Sequence, residues 1–164
     1  MLEFLQNNYE DFSTDEDLQK QLYWKLTDRE LLNENNNIAY SGVVLDNESH
    51  DKLLQVFSRM IPEGWETIAH HMTIKMGALD DGSEAKKDML DGKEIILNVT
   101  DYAYDDLVMA VGGEGYPTAN AKPHITVAVN RADGGKPFYS NKLTDWRPLG
   151  FPLQLTGKVT EVMR

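Results

Sequence analysis

One short pattern with chemical potential occurs twice in this 164-residue chain. The pattern is His-x-Thr, found as His71 with Thr73 and again as His124 with Thr126. With four histidines and ten threonines present, only about 0.24 copies are expected by chance. Each copy lies in an apolar segment that is typical of a β-strand. The repetition indicates that the two copies serve one site.

Strand geometry predicts that the imidazole and the hydroxyl of each copy share one face. Side chains alternate across a strand, so His71, Thr73 and Lys75 are expected opposite Met72 and Ile74. The second copy has the same alternation of polar and apolar residues. Both strands therefore present the chemical groups on one side and pack large apolar residues on the other.

The chemistry that such a pair suits is cleavage of a phosphodiester. In-line displacement at phosphorus needs a base on the attacking oxygen and an acid on the leaving oxygen. Two imidazoles can hold opposite protonation states near pH 7, and a threonine hydroxyl can donate to a non-bridging phosphate oxygen. We therefore predict His71 and His124 as the acid and base, without deciding which is which, and Thr73 and Thr126 as phosphate ligands.

Four further side chains are candidate substrate-binding residues, each with a plainer alternative. Lys75 shares a face with His71, or is an exposed lysine at a strand end. Tyr40 could stack on a base across Gly42, or pack in the core. Tyr116, in a glycine-rich loop, and Trp146 are the preferred aromatic contacts, with hinge or cap roles as the alternative.

The two other histidines are left out of the predicted catalytic set. Alternation places His70 on the opposite face from His71, as a hydrogen-bonded structural residue. His50 lies on the polar side of a predicted helix and has no evident role.

The elements that must position these residues follow an α+β order, without the regular βαβ alternation of a doubly wound sheet. A glycine-rich loop is predicted over residues 112–117, before the second histidine strand. The predicted strands cover residues 38–45, 67–76, 93–104, 107–111, 122–130 and 153–162, and the predicted helices cover 46 or 47 to about 61 and 83–90.

An acidic extension is predicted to precede this domain, over residues 1–37. It carries nine acidic and three basic side chains, so it holds −6 of the net charge of −11. Ser13 or Thr14 can cap a helix there, and the asparagine-rich stretch 33–37 can serve as a linker. We therefore predict two parts, an N-terminal helical extension over 1–37 and a catalytic domain over 38–164.

The paired His-x-Thr strands resemble the signature of the 2H phosphoesterase superfamily. The superfamily includes 2′,3′-cyclic phosphodiesterases, RNA ligase-associated repair domains and phage enzymes that destroy cyclic-oligonucleotide immune signals. The resemblance covers residues 38–164. It implies a bilobal fold in which two antiparallel sheets face a central cleft and each sheet contributes one motif. By position, His71 and Thr73 correspond to the first motif, and His124 and Thr126 to the second.

Composition excludes several other classes of protein. The chain has no cysteine, which removes disulfide scaffolds, thiol catalysis and zinc ribbons. Its apolar runs are far shorter than the roughly 20 residues of a membrane span, so we expect a cytoplasmic protein, or one of a host cytoplasm, with no membrane partner. No P-loop, serine elbow, EF-hand loop or His-Glu-x-x-His motif is present.

We therefore expect a phosphodiesterase that needs no metal and no cofactor. The acidic net charge opposes a long duplex partner, but residues 121–149 carry a net +3 that suits a small nucleotide. The sequence favours a cyclic oligonucleotide or a 2′,3′-cyclic phosphate as substrate, with the phage immune-evasion branch preferred. The alternatives are a 2′,3′-cyclic phosphodiesterase for RNA ends, as in RNA repair, and a catalytically idle nucleotide- or partner-binding domain.

Overall fold

A computed structural model describes residues 37–164 of the chain, and the predicted N-terminal helical extension lies outside the described residues. The described part contains mostly β-strands with two α-helices and two 3₁₀ helices. In chain order these are β1 Ile38–Leu45, α1 Asn47–Phe57, β2 Glu66–Thr67, β3 His71–Met76, α2 Glu84–Asp91, β4 Glu94–Tyr104, β5 Val108–Glu114, β6 His124–Val129, the 3₁₀ helices Arg131–Asp133 and Pro137–Lys142, β7 Arg147–Pro148 and β8 Gln154–Met163.

The strands form one antiparallel sheet that closes on itself. Its order is β6, β3, β1, β8, β4 and β5, and β5 pairs again with β6, so these six strands form a barrel-like ring. The short strands β2 and β7 pair with β6 and β4. The predicted α+β class is confirmed in this form. The two separate sheets implied by the superfamily resemblance are not confirmed, because β3 and β6 are neighbours in a single sheet.

The core lies on the inner side of this ring, and strand alternation explains it. Along β4, Ile95, Leu97 and Val99 are buried, whereas Ile96 between them is exposed. The buried face of α1, which includes Phe57, packs against the same core. Full burial of a side chain of this size stabilises the fold by roughly 1.5–3 kcal/mol.

Side-chain caps fix where the helices begin, as the residue types predict. The Asp46 carboxylate accepts a hydrogen bond from the Ser49 backbone N–H at 2.8 Å, at the start of α1. Ser83 caps α2 in the same way. The predicted extension of α1 to Ile61 is wrong: the helix ends at Phe57, and Ile61 packs against the core from the turn that follows.

Two predicted boundaries differ from the structure. The strand expected over 67–76 is interrupted, because Ala69 has a φ of 45°, in the left-handed region, and β3 begins only at His71. The glycine-rich loop expected from residue 112 begins later, because Gly112 and Gly113 belong to β5, where Gly112 pairs with His124. Within residues 37–164, no helix has the length and apolar character needed to cross a membrane.

Candidate active site

The two His-x-Thr strands lie side by side. Strands β3 and β6 are antiparallel, with Met72 opposite Ile125, and both of these side chains are fully buried. Because neighbouring side chains alternate, the residues that flank this pair face the other side of the sheet. The two histidines and two threonines of the motifs occupy those flanking positions. The structure therefore brings both motifs to one face of two adjacent strands.

Beyond this pair the two strands part. The backbone N–H of Ala119 donates to the Ile74 carbonyl, and the Thr118 hydroxyl donates to the Thr73 carbonyl at 2.6 Å. The segment after Gly115 thus hydrogen-bonds to the edge of β3, while β6 continues to pair with β5. Thr73 and His124 therefore lie where strands β3 and β6 diverge.

The His71 ring is held by Tyr40 of β1. The two rings stack with centroids 4.3 Å apart and an angle of 22° between their planes, and the Tyr40 hydroxyl lies 3.2 Å from Nδ1 of His71. Gly42 makes room for this stack, since a Cβ there would lie 3.4 Å from the His71 ring and 2.8 Å from the Met72 carbonyl oxygen. Tyr40, predicted to stack on a substrate base across Gly42, instead stacks on His71 itself.

His70 also contacts His71, which the alternation argument did not predict. Their Nδ1 atoms lie 3.0 Å apart, and the two rings meet edge to face. The alternation fails because the left-handed backbone at Ala69 interrupts the strand just before His70. The adjacent His-His pair in the sequence was the signal that could have indicated this contact.

His50 has a role that the sequence did not reveal. Its Nδ1 lies 2.9 Å from the Ala69 carbonyl oxygen and donates to it. On the other side, the Ala69 N–H donates to the Thr126 carbonyl at 2.9 Å. Helix α1 and strand β6 therefore both hold the turn that leads into His71.

The surroundings of His71 keep its imidazole neutral at pH 7. Burial lowers its pKa, and the nearby imidazoles of His70 and His124 lower it further, from 6.5 to about 4. A charged form loses hydration when it is buried, and a second positive charge nearby disfavours it again. A neutral imidazole is the form that can accept a proton.

His124 is held differently, by its own strand. Its Nδ1 donates to the Lys122 carbonyl at 2.7 Å, and the residue is buried. Because a carbonyl only accepts, the proton of this bond is on Nδ1, and Nε2 is the other ring nitrogen, which this bond leaves free. Lys122 is itself fixed by a 2.6 Å ion pair with Asp101. The Asp101 carboxylate lies over Gly112, where a Cβ would be only 1.9 Å from Oδ1.

The two motif threonines also differ. Within the described residues, the Thr73 hydroxyl makes no hydrogen bond, so it is available to a ligand. The Thr126 hydroxyl donates to the Pro137 carbonyl at 3.3 Å and lies 2.8 Å from the hydroxyl of Ser140, which is buried. Thr126 therefore anchors the 3₁₀ helix Pro137–Lys142 to β6.

The remaining predicted ligand residues lie in other contacts. Lys75 pairs with Asp80 at 3.1 Å. The Tyr116 hydroxyl donates to Asp88 of α2 at 2.5 Å, and burial, with this bond to a carboxylate, raises the pKa of Tyr116. Tyr116 also packs against the core. Among these side chains the structure connects Trp146 most closely to the site, because the Lys122 ammonium lies 4.7 Å from its ring centroid.

The site is built from acid–base groups rather than from a cluster of metal ligands. In the part of the chain described here, no three histidine, aspartate or glutamate side chains are close enough together to hold a metal ion. The arrangement can position a phosphate between two imidazoles and offer it the Thr73 hydroxyl.

A family model for the fungal tRNA ligase phosphodiesterase domain matches residues 18–154. The match includes both motifs, and it begins inside the segment predicted as an extension. No curated protein sequence and no solved structure matches the chain. The chain belongs to the fungal tRNA ligase phosphodiesterase domain family of the 2H phosphoesterase superfamily, whose members hydrolyse phosphodiester bonds.

Proposed function

We propose that this enzyme opens the 2′,3′-cyclic phosphate at the 3′ end of an RNA strand. The observation that carries the proposal is the position of the two His-x-Thr motifs on one face of the neighbouring strands β3 and β6. The His71 imidazole is held neutral, and the His124 imidazole is bonded to a backbone carbonyl. Family membership supports the RNA end as substrate, since the matching family is named for tRNA ligases.

In the proposed reaction, His71 acts as the base and His124 as the acid. Neutral His71 takes a proton from a water molecule, and the water oxygen forms a bond to phosphorus. Protonated His124 gives its Nε2 proton to the ribose oxygen as the bond from that oxygen to phosphorus breaks. The product is a ribose phosphomonoester with one free hydroxyl, and Thr73 donates to the phosphate oxygen on which charge grows.

The immune-signal hypothesis receives no support from the family match. Cyclic oligonucleotides and the phage branch of the superfamily were preferred from the sequence, but the matching family favours the RNA-processing alternative. A cyclic dinucleotide therefore becomes a comparison substrate in the test rather than the expected one.

The test incubates the full chain, with a chelator present, with an oligoribonucleotide that ends in a 2′,3′-cyclic phosphate. We expect turnover, and a loss of about 10²–10⁴-fold in kcat for His71→Ala and for His124→Ala. His50→Asn is the matched control, because the asparagine amide can still donate to the Ala69 carbonyl. Its kcat is expected to stay near that of the unmodified chain.

Three results would count against the proposal. Hydrolysis of a cyclic dinucleotide in preference to the RNA end would return the substrate to the immune-signal class. Turnover unchanged in both histidine variants would remove the acid–base assignment, and the absence of turnover on every substrate would favour the catalytically idle alternative.

A further inference from the structure

A basic and aromatic surface lies beside the candidate active site. It is formed by the 3₁₀ helix Pro137–Lys142 and the lysine before it, and we call it the 3₁₀ platform. Its side chains are Lys136, Phe138, Tyr139 and Lys142. None of them belongs to the four motif residues or to their immediate supports.

Each aromatic ring of the 3₁₀ platform lies near a lysine ammonium group. The Lys136 ammonium lies 6.0 Å from the centroid of Phe138, and the Lys142 ammonium lies 5.6 Å from that of Tyr139. The two rings meet edge to face at 4.8 Å. Phe138 is 57% exposed, so its ring is available for a base to stack on.

The lysines of the 3₁₀ platform are available to an anion. Within residues 37–164 neither Lys136 nor Lys142 forms an ion pair with a carboxylate, whereas Lys75, Lys86 and Lys122 do. The chain as a whole is strongly acidic, with a net charge of −11. Other lysines of the described range, such as Lys87, also lack an ion pair, but Lys136 and Lys142 lie within residues 121–149, which carry a net +3, so a polyanion meets less repulsion here than over the acidic chain as a whole.

A specific contact holds the 3₁₀ platform next to His124. The Thr126 hydroxyl bonds to Pro137 and Ser140, which lie within the 3₁₀ helix. His124 is two residues along the same strand and on the same face, about 7 Å away along the backbone. An RNA strand whose terminal phosphate lies at His124 therefore has its preceding nucleotides near the 3₁₀ platform.

We propose that the 3₁₀ platform binds the single-stranded RNA that precedes the cyclic phosphate. Bases stack on Phe138 and Tyr139, and the two lysines contact backbone phosphates. The inference rests on the proposed function and makes it more specific, because it names the surface that binds the nucleotides before the cyclic phosphate. A purely anionic ligand would not need the exposed Phe138 ring or the half-buried Tyr139 ring, and an uncharged aromatic ligand would not need the lysines.

The first experiment compares two substrates in one protein. We measure kcat/KM for a ten-nucleotide RNA that ends in a 2′,3′-cyclic phosphate and for a 2′,3′-cyclic mononucleotide. Because stacking contributes to the RNA alone, the ratio of the two values is expected to fall about tenfold in Phe138→Ala. The same ratio is expected to fall in the double variant Lys136→Gln with Lys142→Gln.

Matched controls come from exposed residues elsewhere on the chain. Phe151 is 50% exposed, and Lys87 is exposed on α2. Phe151→Ala and Lys87→Gln are expected to leave the ratio unchanged. A ratio that stays constant in the platform variants, or that falls equally in the controls, would overturn the assignment.

The second experiment separates the 3₁₀ platform from the reaction. Fluorescence anisotropy measures binding of a labelled ten-nucleotide RNA that ends in a 3′-phosphate and is not hydrolysed. The double lysine variant should bind it more weakly, and the slope of log K against log salt should fall by about 1.4, or roughly 0.7 for each phosphate contact. Polyglutamate of equal charge should bind at least tenfold more weakly than the RNA.

The two experiments can refute the proposed reaction and the proposed RNA surface separately. A chain that hydrolyses neither substrate but loses RNA binding in the platform variants would refute the proposed reaction and keep the RNA surface. A chain that hydrolyses both substrates and binds RNA equally well in all variants would keep the reaction and refute the surface. Polyglutamate binding as tight as RNA binding would also refute it, in favour of an acidic protein partner.

Discussion

Strands β3 and β6 carry the same motif but surround it with different groups. The His71 ring contacts two other rings, those of Tyr40 and His70, and its pKa is lowered to about 4. The His124 ring instead donates to a backbone carbonyl of its own strand. A repeated motif can therefore supply two unequal imidazoles, and acid–base catalysis needs two groups in opposite protonation states.

The motif threonines of β3 and β6 also have different surroundings. The Thr73 hydroxyl has no partner within the described residues, whereas the Thr126 hydroxyl joins β6 to the 3₁₀ platform. On β3 the motif threonine is free for a ligand, and on β6 it carries a structural contact. The unbonded hydroxyl favours Thr73 as a phosphate ligand, and the phosphate-binding role of Thr126 stays a prediction.

The largest expected effect separates these two threonines. Thr73→Val should lower kcat about 10²-fold, because a donor to the developing charge is lost, with little change in stability. Thr126→Val should lower the free energy of unfolding by about 1–3 kcal/mol, since the buried Ser140 hydroxyl loses its partner. Steady-state kinetics and urea unfolding measure both. Equal losses of kcat in the two variants would show that the motifs are equivalent.

The next effect concerns the protonation of His71. Its folded-state pKa is about 4 and its ordinary value is 6.5, so the unfolded chain binds the proton first as the pH falls. The contribution of His71 to the free energy of unfolding is therefore constant above about pH 6.5. It decreases between about pH 6.5 and 4 and changes no further below pH 4. The loss is at most about 3 kcal/mol.

Unfolding of the native chain and of His71→Gln across this pH range tests the expectation. The variant should lack this component of the pH dependence, and NMR titration of the native chain should give His71 a midpoint near 4. A midpoint near 6.5 would mean that the surroundings of His71 do not lower its pKa, which would contradict this prediction.

A third effect tests how β6 is supported. Gly112→Ala places a Cβ against the Asp101 carboxylate, which must then leave Lys122. We expect a loss of about 1–3 kcal/mol in the free energy of unfolding. Gly113→Ala is the neighbouring control, because its nearest atoms are 3.8 Å away. If both variants unfold at the same urea concentration, the Asp101 contact does not depend on Gly112.

The smallest effect concerns the support of His71. Tyr40→Phe keeps the stacked ring and removes the hydroxyl that lies 3.2 Å from Nδ1. Loss of this hydrogen bond should cost about 0.5–1.5 kcal/mol and lower kcat/KM only a few-fold. Tyr104→Phe, on an exposed tyrosine of β4, is the control. A loss as large as that of His71→Ala would make the hydroxyl a catalytic group.

Local features of this fold could be predicted from the sequence. The strand-like segment predicted over 38–45 matches the bounds of β1, Ile38–Leu45, and Asp46, one of the two predicted caps, is the cap at the start of α1. Both signals depend on residues close together in the chain. That the two motifs serve one site was expected from their repetition, whereas their place on neighbouring strands of a single sheet was not.

Features that depend on distant residues could not be predicted. No local pattern indicates that Thr126 bonds to Ser140, that His50 reaches the Ala69 carbonyl, or that six strands close into a ring. The left-handed backbone at Ala69 went unnoticed because alanine rarely adopts it. Division of the chain after residue 37 stays a prediction, and so do the roles of the individual site residues.

The turn at Ala69 has an energetic consequence for the histidines beside it. An alanine in the left-handed region costs roughly 1 kcal/mol, and its N–H and carbonyl are held by β6 and α1. The cost is met when the protein folds, so no reorganisation of this turn is needed when substrate arrives. The site is thus preorganised by elements far from it in sequence, and a change in α1 can reach His71 through the Ala69 carbonyl.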